Sequence, residues 1–481
     1  LNDILKYQDD FGKIEEGRLK KLVNPKKYVI EFPSPNTNKP LHLGHIRNIL
    51  LGQSLSNLLE YKGHKSFKVN LNNDRGIHIC KSMLAYKKWG NGQEPNKKPD
   101  HFVGDFYVKY NEMLEKDKDL EEEAQELLKK WEEGDPNIRK LWKKMNKWAF
   151  KGFNETFDYF DVKFNKQYYE SEIYKVGKEK IREGVNKGLF EVLEDGAVIA
   201  KLENKYNLPD KILLRNDGTS VYVTQDIFLA YKKKEDFNFD KSIYVVGNEQ
   251  DMYFNQLFAV LDLLGFEGEN YHLSYGMIYL PSGKMKSREG TVVDADDLVE
   301  EVIHLAYDEV DKRYPNLSEE EKRERSITIG MAAIRFYILK YNPRKDFTFF
   351  PDKSISFEGE TGPYIQYVYS RIESIIRKSQ LEIDEDDFDA SLLNSDIEYK
   401  LFSQLNYFPE IINEAIKNYD THIIADYLLG LGQTFNSFYT LCPVISEKKE
   451  LEKARLVLIK CVQTIIKIGL NVLGIKVLEN M

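Results

Sequence analysis

The run Tyr28-Val29-Ile30-Glu31-Phe32-Pro33-Ser34-Pro35-Asn36-Thr37-Asn38-Lys39-Pro40-Leu41-His42-Leu43-Gly44-His45 decides how the chain is read. Its first five residues are apolar around one glutamate, rich in β-formers, and suit a buried strand. The prolines at 33, 35 and 40 exclude a helix before Pro40. Beyond it, Leu43, Ile46, Leu50, Leu55, Leu58 and Leu59 recur near the 3.6-residue helical period until Lys62-Gly63 supplies a stop. A second strand, Ser66 to Leu71, completes a strand–helix–strand unit.

His42 and His45 lie three apart on the first helical turn and share a face. Unpaired backbone N–H groups and the helix dipole favour an anion at that end. Gly44 between them leaves the backbone open to a ligand. Two imidazoles beside such a backbone site suit phosphates and the charge that develops on them in a transition state. Taken alone, the same residues would serve as an ordinary pair of surface histidines.

The 481 residues allow two to four domains, and the composition, 42% hydrophobic and 31% charged, is that of a globular protein. No apolar run of about 18 residues suggests a membrane span. The three cysteines, Cys80, Cys442 and Cys461, lack Cys-x-x-Cys spacing, which argues against a disulfide framework and a structural zinc site. A cytoplasmic location, no membrane contact and no protein-bound metal are expected. The net charge of −9 does not describe a simple basic nucleic-acid binder, although a local patch could act within an acidic chain.

Residues 1–24 read as a leader or linker with one short helix. After the second strand, Asn72-Asn73-Asp74-Arg75-Gly76 forms a turn at a strand's carboxyl edge, where ligands of α/β sheets gather. From Gln93 to about Phe164 the chain reads as a helical insertion, its tryptophans at 131, 142 and 148 taken as packing. Leu213 to Asp226 predicts a hairpin with an Asp217-Gly218 turn, then a strand ending near Tyr222 and a helix starting near Asp226. Ser242 to Gly247 is a further buried parallel strand, and Gln250 opens another helix. This alternation predicts a doubly wound parallel sheet of Rossmann type.

A second chemical stretch, Leu280-Pro281-Ser282-Gly283-Lys284-Met285-Lys286-Ser287-Arg288-Glu289-Gly290-Thr291, carries basic side chains on a glycine-flanked loop suited to polyphosphate capture. Beyond Asp294, six amphipathic segments predict a closing helical bundle, one of them continuous from Asp396 to Asn418. The acidic stretch Leu381 to Glu398 is taken as a solvated connector.

With His42-x-Gly44-His45, the Lys284-Met285 loop, Ser34-Pro35-Asn36, Asp217-Gly218-Thr219, Gly362-Pro363-Tyr364-Ile365-Gln366-Tyr367 and Leu473-Gly474-Ile475 in this order, the sequence resembles the arginyl-tRNA synthetases of class I. The resemblance runs from about Tyr28 to Met481. It implies ATP-dependent activation of L-arginine, then transfer to tRNA(Arg), with Mg²⁺ accompanying ATP. It also implies catalytic roles for His42, His45, Lys284 and Lys39, and ATP contacts from His42, Gly44, His45, Lys284, Lys286 and Ser287. Asn36, Glu170, Tyr222, Asp226 and Gln250 would bind arginine, whose planar guanidinium needs carboxylates held in its plane. The expected division is a leader at 1–24, a catalytic domain at 25–295 with an insertion at about 90–212, a helical connector at 296–355 and an anticodon-binding domain at 356–481, acting as a monomer.

Three departures stand out. Ser287 falls where the family's loop usually has its second lysine, and Lys39 sits where compensating lysines occur. Asn73-Asp74-Arg75-Gly76 replaces the frequent Gly-Asp-Trp-Gly. The additional N-terminal domain usual in bacterial members, which contacts the tRNA elbow, is expected to be absent. The sequence leaves open a catalytically impaired, tRNA-binding relative and a different class I amino acid, though no zinc cluster favours cysteine.

Overall fold

The computed structural model describes the chain except for residues 16–17, 20–23, 175–176, 282–292, 380, 382 and 384–386. Its central sheet has five strands, β1 (Lys27–Glu31), β2 (Lys65–Asn72), β3 (Lys166–Tyr169), β4 (Lys241–Gly247) and β5 (Glu269–Tyr275), in the order β5-β4-β1-β2-β3. Every pairing is parallel. The order reverses direction between β1 and β4, so the loops leaving these strands diverge and open a crevice at their carboxyl ends. The doubly wound sheet is as the sequence predicts.

Helix α1 (Leu43–Tyr61) follows β1 and is buried around its whole circumference rather than along one stripe: Arg47, Asn48, Gln53, Ser54 and Ser56 are enclosed with the leucines. Its polar side chains are therefore bonded. Asn48 Nδ2 donates to Val245 O at 2.7 Å, tying α1 to β4. The Arg47 guanidinium donates to the carbonyls of Gly276, Met277, Pro343 and Lys345. Each such charged hydrogen bond contributes about 1.5–3 kcal/mol. A Cβ on Gly52 would lie 2.4 Å from the Phe32 ring, so glycine sets how closely α1 approaches the end of β1.

After β2 come α2 (Ile77–Trp89), α3 (Pro99–Leu114), α4 (Asp119–Glu133) and α5 (Pro136–Tyr159), which enclose their own core around Met83, Tyr110, Leu120 and Trp131. The tryptophans do pack: Trp131 and Trp148 are buried, and Trp142 stands edge-on to Trp131 at 5.4 Å. The chain rejoins the sheet at β3, inside the span 90–212 expected as insertion. It then leaves for a three-stranded antiparallel sheet, Glu191–Val192, Val198–Ala200 and Lys211–Leu214.

The Asp217-Gly218 turn forms, but no strand follows it. Helix α6 (Tyr222–Phe237) starts four residues earlier than the sequence suggests. Thr224 explains this, since its hydroxyl accepts from Val221 N at 3.2 Å and donates to Leu213 O at 2.5 Å, which secures the first turn. Helix α7 (Asp251–Leu263) lies between β4 and β5.

The longer helices that follow are α8 (Ala295–Arg313), α9 (Glu319–Leu339), α10 (Gly362–Lys378), α11 (Asp396–Asn406), α12 (Phe408–Asn418), α13 (His422–Leu441) and α14 (Lys449–Val472). The segment read as one helix over Asp396 to Asn418 breaks at Tyr407, because Pro409 cannot donate within a continuing helix. The stretch read as a leader or linker packs on the protein through described residues near its start. Ile4 and Phe11 are buried in the core shared by α1 and the C-terminal helices, and Gly12 N donates to Tyr61 Oη at 3.0 Å. Nor is the acidic stretch wholly solvated: Glu398 is buried, pairs with Arg455 at 2.8 Å and accepts from Ser395 N and Oγ. Among the described residues, no helix is long and apolar enough to cross a membrane.

Candidate functional site

His42 caps α1, and its Nδ1 accepts from Gly44 N at 3.2 Å. His45 reaches back, its Nδ1 accepting from His42 N at 3.1 Å. A backbone N–H can only donate, so each Nδ1 carries a lone pair and each neutral ring holds its proton on Nε2. Burial, with Lys39 adding to it, pushes His42 down to about 3. His45 is driven well below its ordinary value by burial, then by His42 and Lys39. The ring centroids lie 3.8 Å apart with their planes tilted by 42°. The product is a pair of neutral donors, each offering Nε2–H at a helix N-terminus. A Cβ on Gly44 would come within 3.1 Å of His42 Nδ1 and crowd its bond to the backbone.

Lys39, in the loop leading to His42, is itself lowered by burial. All three groups are held where burial disfavours positive charge, so an arriving polyphosphate relieves the penalty as it binds. The loop is fixed to the sheet's edge: Asn73 Nδ2 donates to Ser34 O at 2.9 Å, Ser34 N donates to Asn70 Oδ1 at 3.1 Å, and Asn36 forms a parallel bridge with Asn73. Asn36 itself is exposed at the carboxyl end of β1, and Gln250 is exposed on the short turn after β4. The two strands that flank the reversal in sheet order therefore carry the two amide candidates.

Lys284, Lys286 and Ser287 lie outside the described residues. The residues just beyond them are placed. Leu43 N donates to Val293 O at 3.2 Å, Ala295 N donates to Leu41 O at 3.0 Å, and His42 bridges Asp294 antiparallel. The backbone that follows the basic stretch is thus zipped to the histidine turn.

A second cluster is acidic. Asp226, largely buried on the second turn of α6, accepts a hydrogen bond from Tyr253 Oη of α7. Burial, with the Glu31 charge, raises it to about 6. Glu170, just after β3, is raised to about 7 by burial, opposed by Arg75 and reinforced by Asp74 and Asp226. Asp74 is also raised by burial although Ser171 donates to it through N at 2.8 Å and Oγ at 2.7 Å. Glu31 is matched by the buried Lys233 at 2.8 Å. Arg75 stands 4.0 Å from Glu170 but is engaged at 2.5 Å by Glu132. Asp74, Glu170 and Asp226 thus exceed their local cations, and a cationic guest would lower all three.

Tyr222 stands one helical turn before Asp226 and is 73% exposed, on the first residue of a helix instead of a strand end. The sequence missed Tyr253 and the Glu31–Lys233 pair, and gave Asp74 only as part of a turn at the ligand edge of the sheet. Tyr253 lies three residues after Gln250, a helical spacing that could have flagged it. Glu31 and Lys233 are separated by 202 positions, and no local pattern announces such a pair.

Residues 13–350 match the family model described as tRNA synthetases class I (R), catalytic domain, and residues 365–481 match the DALR anticodon binding domain. An arginine–tRNA ligase of Parabacteroides distasonis is 46% identical over 94% of this chain and 80% of its own length. One from Borrelia turicatae is 43% identical over 100% of this chain and 84% of its own. The fold also matches the Thermus thermophilus arginyl-tRNA synthetase, with a TM-score of 0.80 at 24% identity over 95% of this chain and 83% of that one. The Plasmodium falciparum arginyl-tRNA synthetase gives 0.79 at 24% identity over 95% and 78%. On its catalytic and anticodon-binding matches together, the chain belongs to the arginyl-tRNA synthetase family of class I.

Proposed function

We propose that this chain ligates L-arginine to tRNA(Arg) at the expense of ATP. The observation that carries the reading is a neutral pair of imidazole donors at a helix start together with an excess of buried carboxylates at the same sheet edge. In the first step a carboxylate oxygen of arginine attacks the α-phosphorus of ATP in line, and the bond to the β-phosphate oxygen breaks. Arginyl-adenylate forms and pyrophosphate leaves. In the second step the terminal ribose hydroxyl of the tRNA attacks the arginyl carbonyl and AMP departs. No side chain of the protein bonds to the substrate, so rate comes from positioning and charge stabilisation.

His42 and His45 donate through Nε2–H to the phosphates as charge grows on them, with the backbone at Gly44 adding the helix terminus. Lys39, Lys284 and Lys286 supply positive charge toward the departing pyrophosphate, and Ser287 a hydroxyl donor. ATP arrives with Mg²⁺ as its counter-ion, a substrate component and not a metal resident in the protein. Asp226 and Glu170 take the guanidinium, Tyr222 covers it from the first turn of α6, and Asn36 and Gln250 hold the amino-acid end. A lysine side chain would leave these carboxylates poorly paired, which discriminates against it.

Residues 25–295 form the catalytic unit and 356–481 the anticodon-binding one, joined through 296–355. The test is charging of tRNA with labelled arginine into acid-precipitable form. Arginine incorporation that depends on ATP supports the reading, and incorporation of a different amino acid overturns it.

A further inference from the structure

The insertion reaches back toward the phosphate site through one cluster of charges. Lys98, immediately before α3, donates to Asp296 Oδ2 at 2.6 Å, to Thr156 Oγ1 at 2.6 Å and to Asp100 Oδ2 at 3.2 Å. His101 Nε2 lies 2.8 Å from Asp296 Oδ2 and 3.3 Å from Asp294 Oδ1. Thr156, on α5, donates to Asp296 Oδ1 at 2.9 Å. On the other side, Asp294 accepts from Asp296 N at 2.8 Å, which caps α8, while its backbone bridges His42. Insertion, α8 and histidine turn are thus linked by direct hydrogen bonds.

We infer that Lys98 and His101 are positioning residues, which hold the stem Val293 to Asp296 in register with His42 and Gly44 and so set the geometry of the phosphate site from the insertion. The inference rests on the nucleotide-activating reading of His42 and His45. Charge balance favours it. Three carboxylates, Asp100, Asp294 and Asp296, face two cations, and removing either cation leaves acidic groups repelling one another against the stem. Hydrogen bonds to Asp294 and Asp296 push His101 up to about 10, so it serves as the second cation. Asp100, His101 and Asp296 could also bring ligand atoms within 4.8 Å of one another for a metal ion. The Lys98 ammonium already stands among those oxygens and fills the cation's place.

The test uses the full chain with tRNA and a range of arginine concentrations up to saturation, reading ATP–pyrophosphate exchange. For His101→Asn and Lys98→Met, kcat falls ~10- to 100-fold because the reacting groups lose their register, while the arginine KM stays within about twofold. The double variant is no worse than about threefold below the weaker single one, since both act through one stem. Lys98→Arg, which keeps the cation, retains most of the rate. Thr156→Val removes the bond to Asp296 and an acceptor of Lys98 without changing charge and lowers kcat by ~3- to 10-fold, which decides the matter if a charge variant fails to fold. A kcat within threefold of wild type in Thr156→Val and His101→Asn, or an arginine KM rising in step with the loss, overturns the inference. A wild-type chain silent in exchange would remove the nucleotide-activating reading as well, whereas an active wild type with unaffected variants would remove this one alone.

Discussion

Replacing Asp226 by asparagine keeps the shape of the side chain and an acceptor for Tyr253, but removes the charge from the proposed guanidinium pocket. Two consequences of opposite sign follow. In the empty protein, burial raises Asp226 from 3.8 to about 6. The folded state therefore holds the proton more tightly than the unfolded state, and folding stability falls as pH rises from about 3.8 to 6 and stays low above it. The deficit is about 3 kcal/mol at most, at 1.36 kcal/mol per pKa unit over about two units. Asp226→Asn recovers part of this, ~1 kcal/mol after loss of a charged acceptor for Tyr253, and melts ~2 °C higher at pH 7.5.

With arginine present the balance reverses. A charge-assisted bond to the guanidinium contributes about 1.5–3 kcal/mol, so its loss raises the arginine KM roughly 10- to 150-fold. The ATP KM should move by less than about threefold, because the histidine turn is untouched. Steady-state exchange with tRNA present gives both constants, and differential scanning calorimetry gives the stability. A variant whose arginine and ATP constants rise together, or one that melts lower than wild type, would refute the reasoning.

The pH dependence of kcat/KM for arginine should rise between about pH 5.5 and 7.5, since Asp226 near 6 and Glu170 near 7 must lose their protons to receive a cation. Glu170→Gln should shift that rise downward, and a flat profile would contradict the acidic pocket. His42→Asn and His45→Asn should each lower kcat by ~10²- to 10³-fold with little change in arginine KM, as expected for a donor to developing charge; unchanged kcat in single-turnover assays would remove the histidines from the chemistry. Gly52→Ala places a Cβ 2.4 Å from the Phe32 ring and should destabilise by about 1–3 kcal/mol, read by urea denaturation.

How far the sequence spoke depended on how local the cause was. The β1–α1 unit was legible because prolines, period and cap lie within one window, and the parallel sheet followed from alternation. The strand β3 has only four residues at a sheet edge, too few for a period. Helix α6 was misjudged because its cap depends on Thr224 reaching Leu213, on the far side of the turn. The break at Tyr407 has a local cause in Pro409, although the apolar period runs across it. Residues 1–24 read as a leader or linker because Ile4 and Phe11 find their partners on helices from the far end of the chain. At the candidate site, His42 and His45 stand out by type and place, whereas Asp226 enters through the family resemblance. Tyr253 and Lys98 do neither, since what gives them a role is a carboxylate brought in by another element.

The central claim is that the histidine turn and the acidic pocket serve one reaction on one amino acid. ATP–pyrophosphate exchange across the standard amino acids, each with and without tRNA, tests it most directly. Exchange with arginine and with no other standard amino acid, when tRNA is present, is the predicted result. Exchange with a different amino acid, or none with arginine in the presence of tRNA, would contradict it.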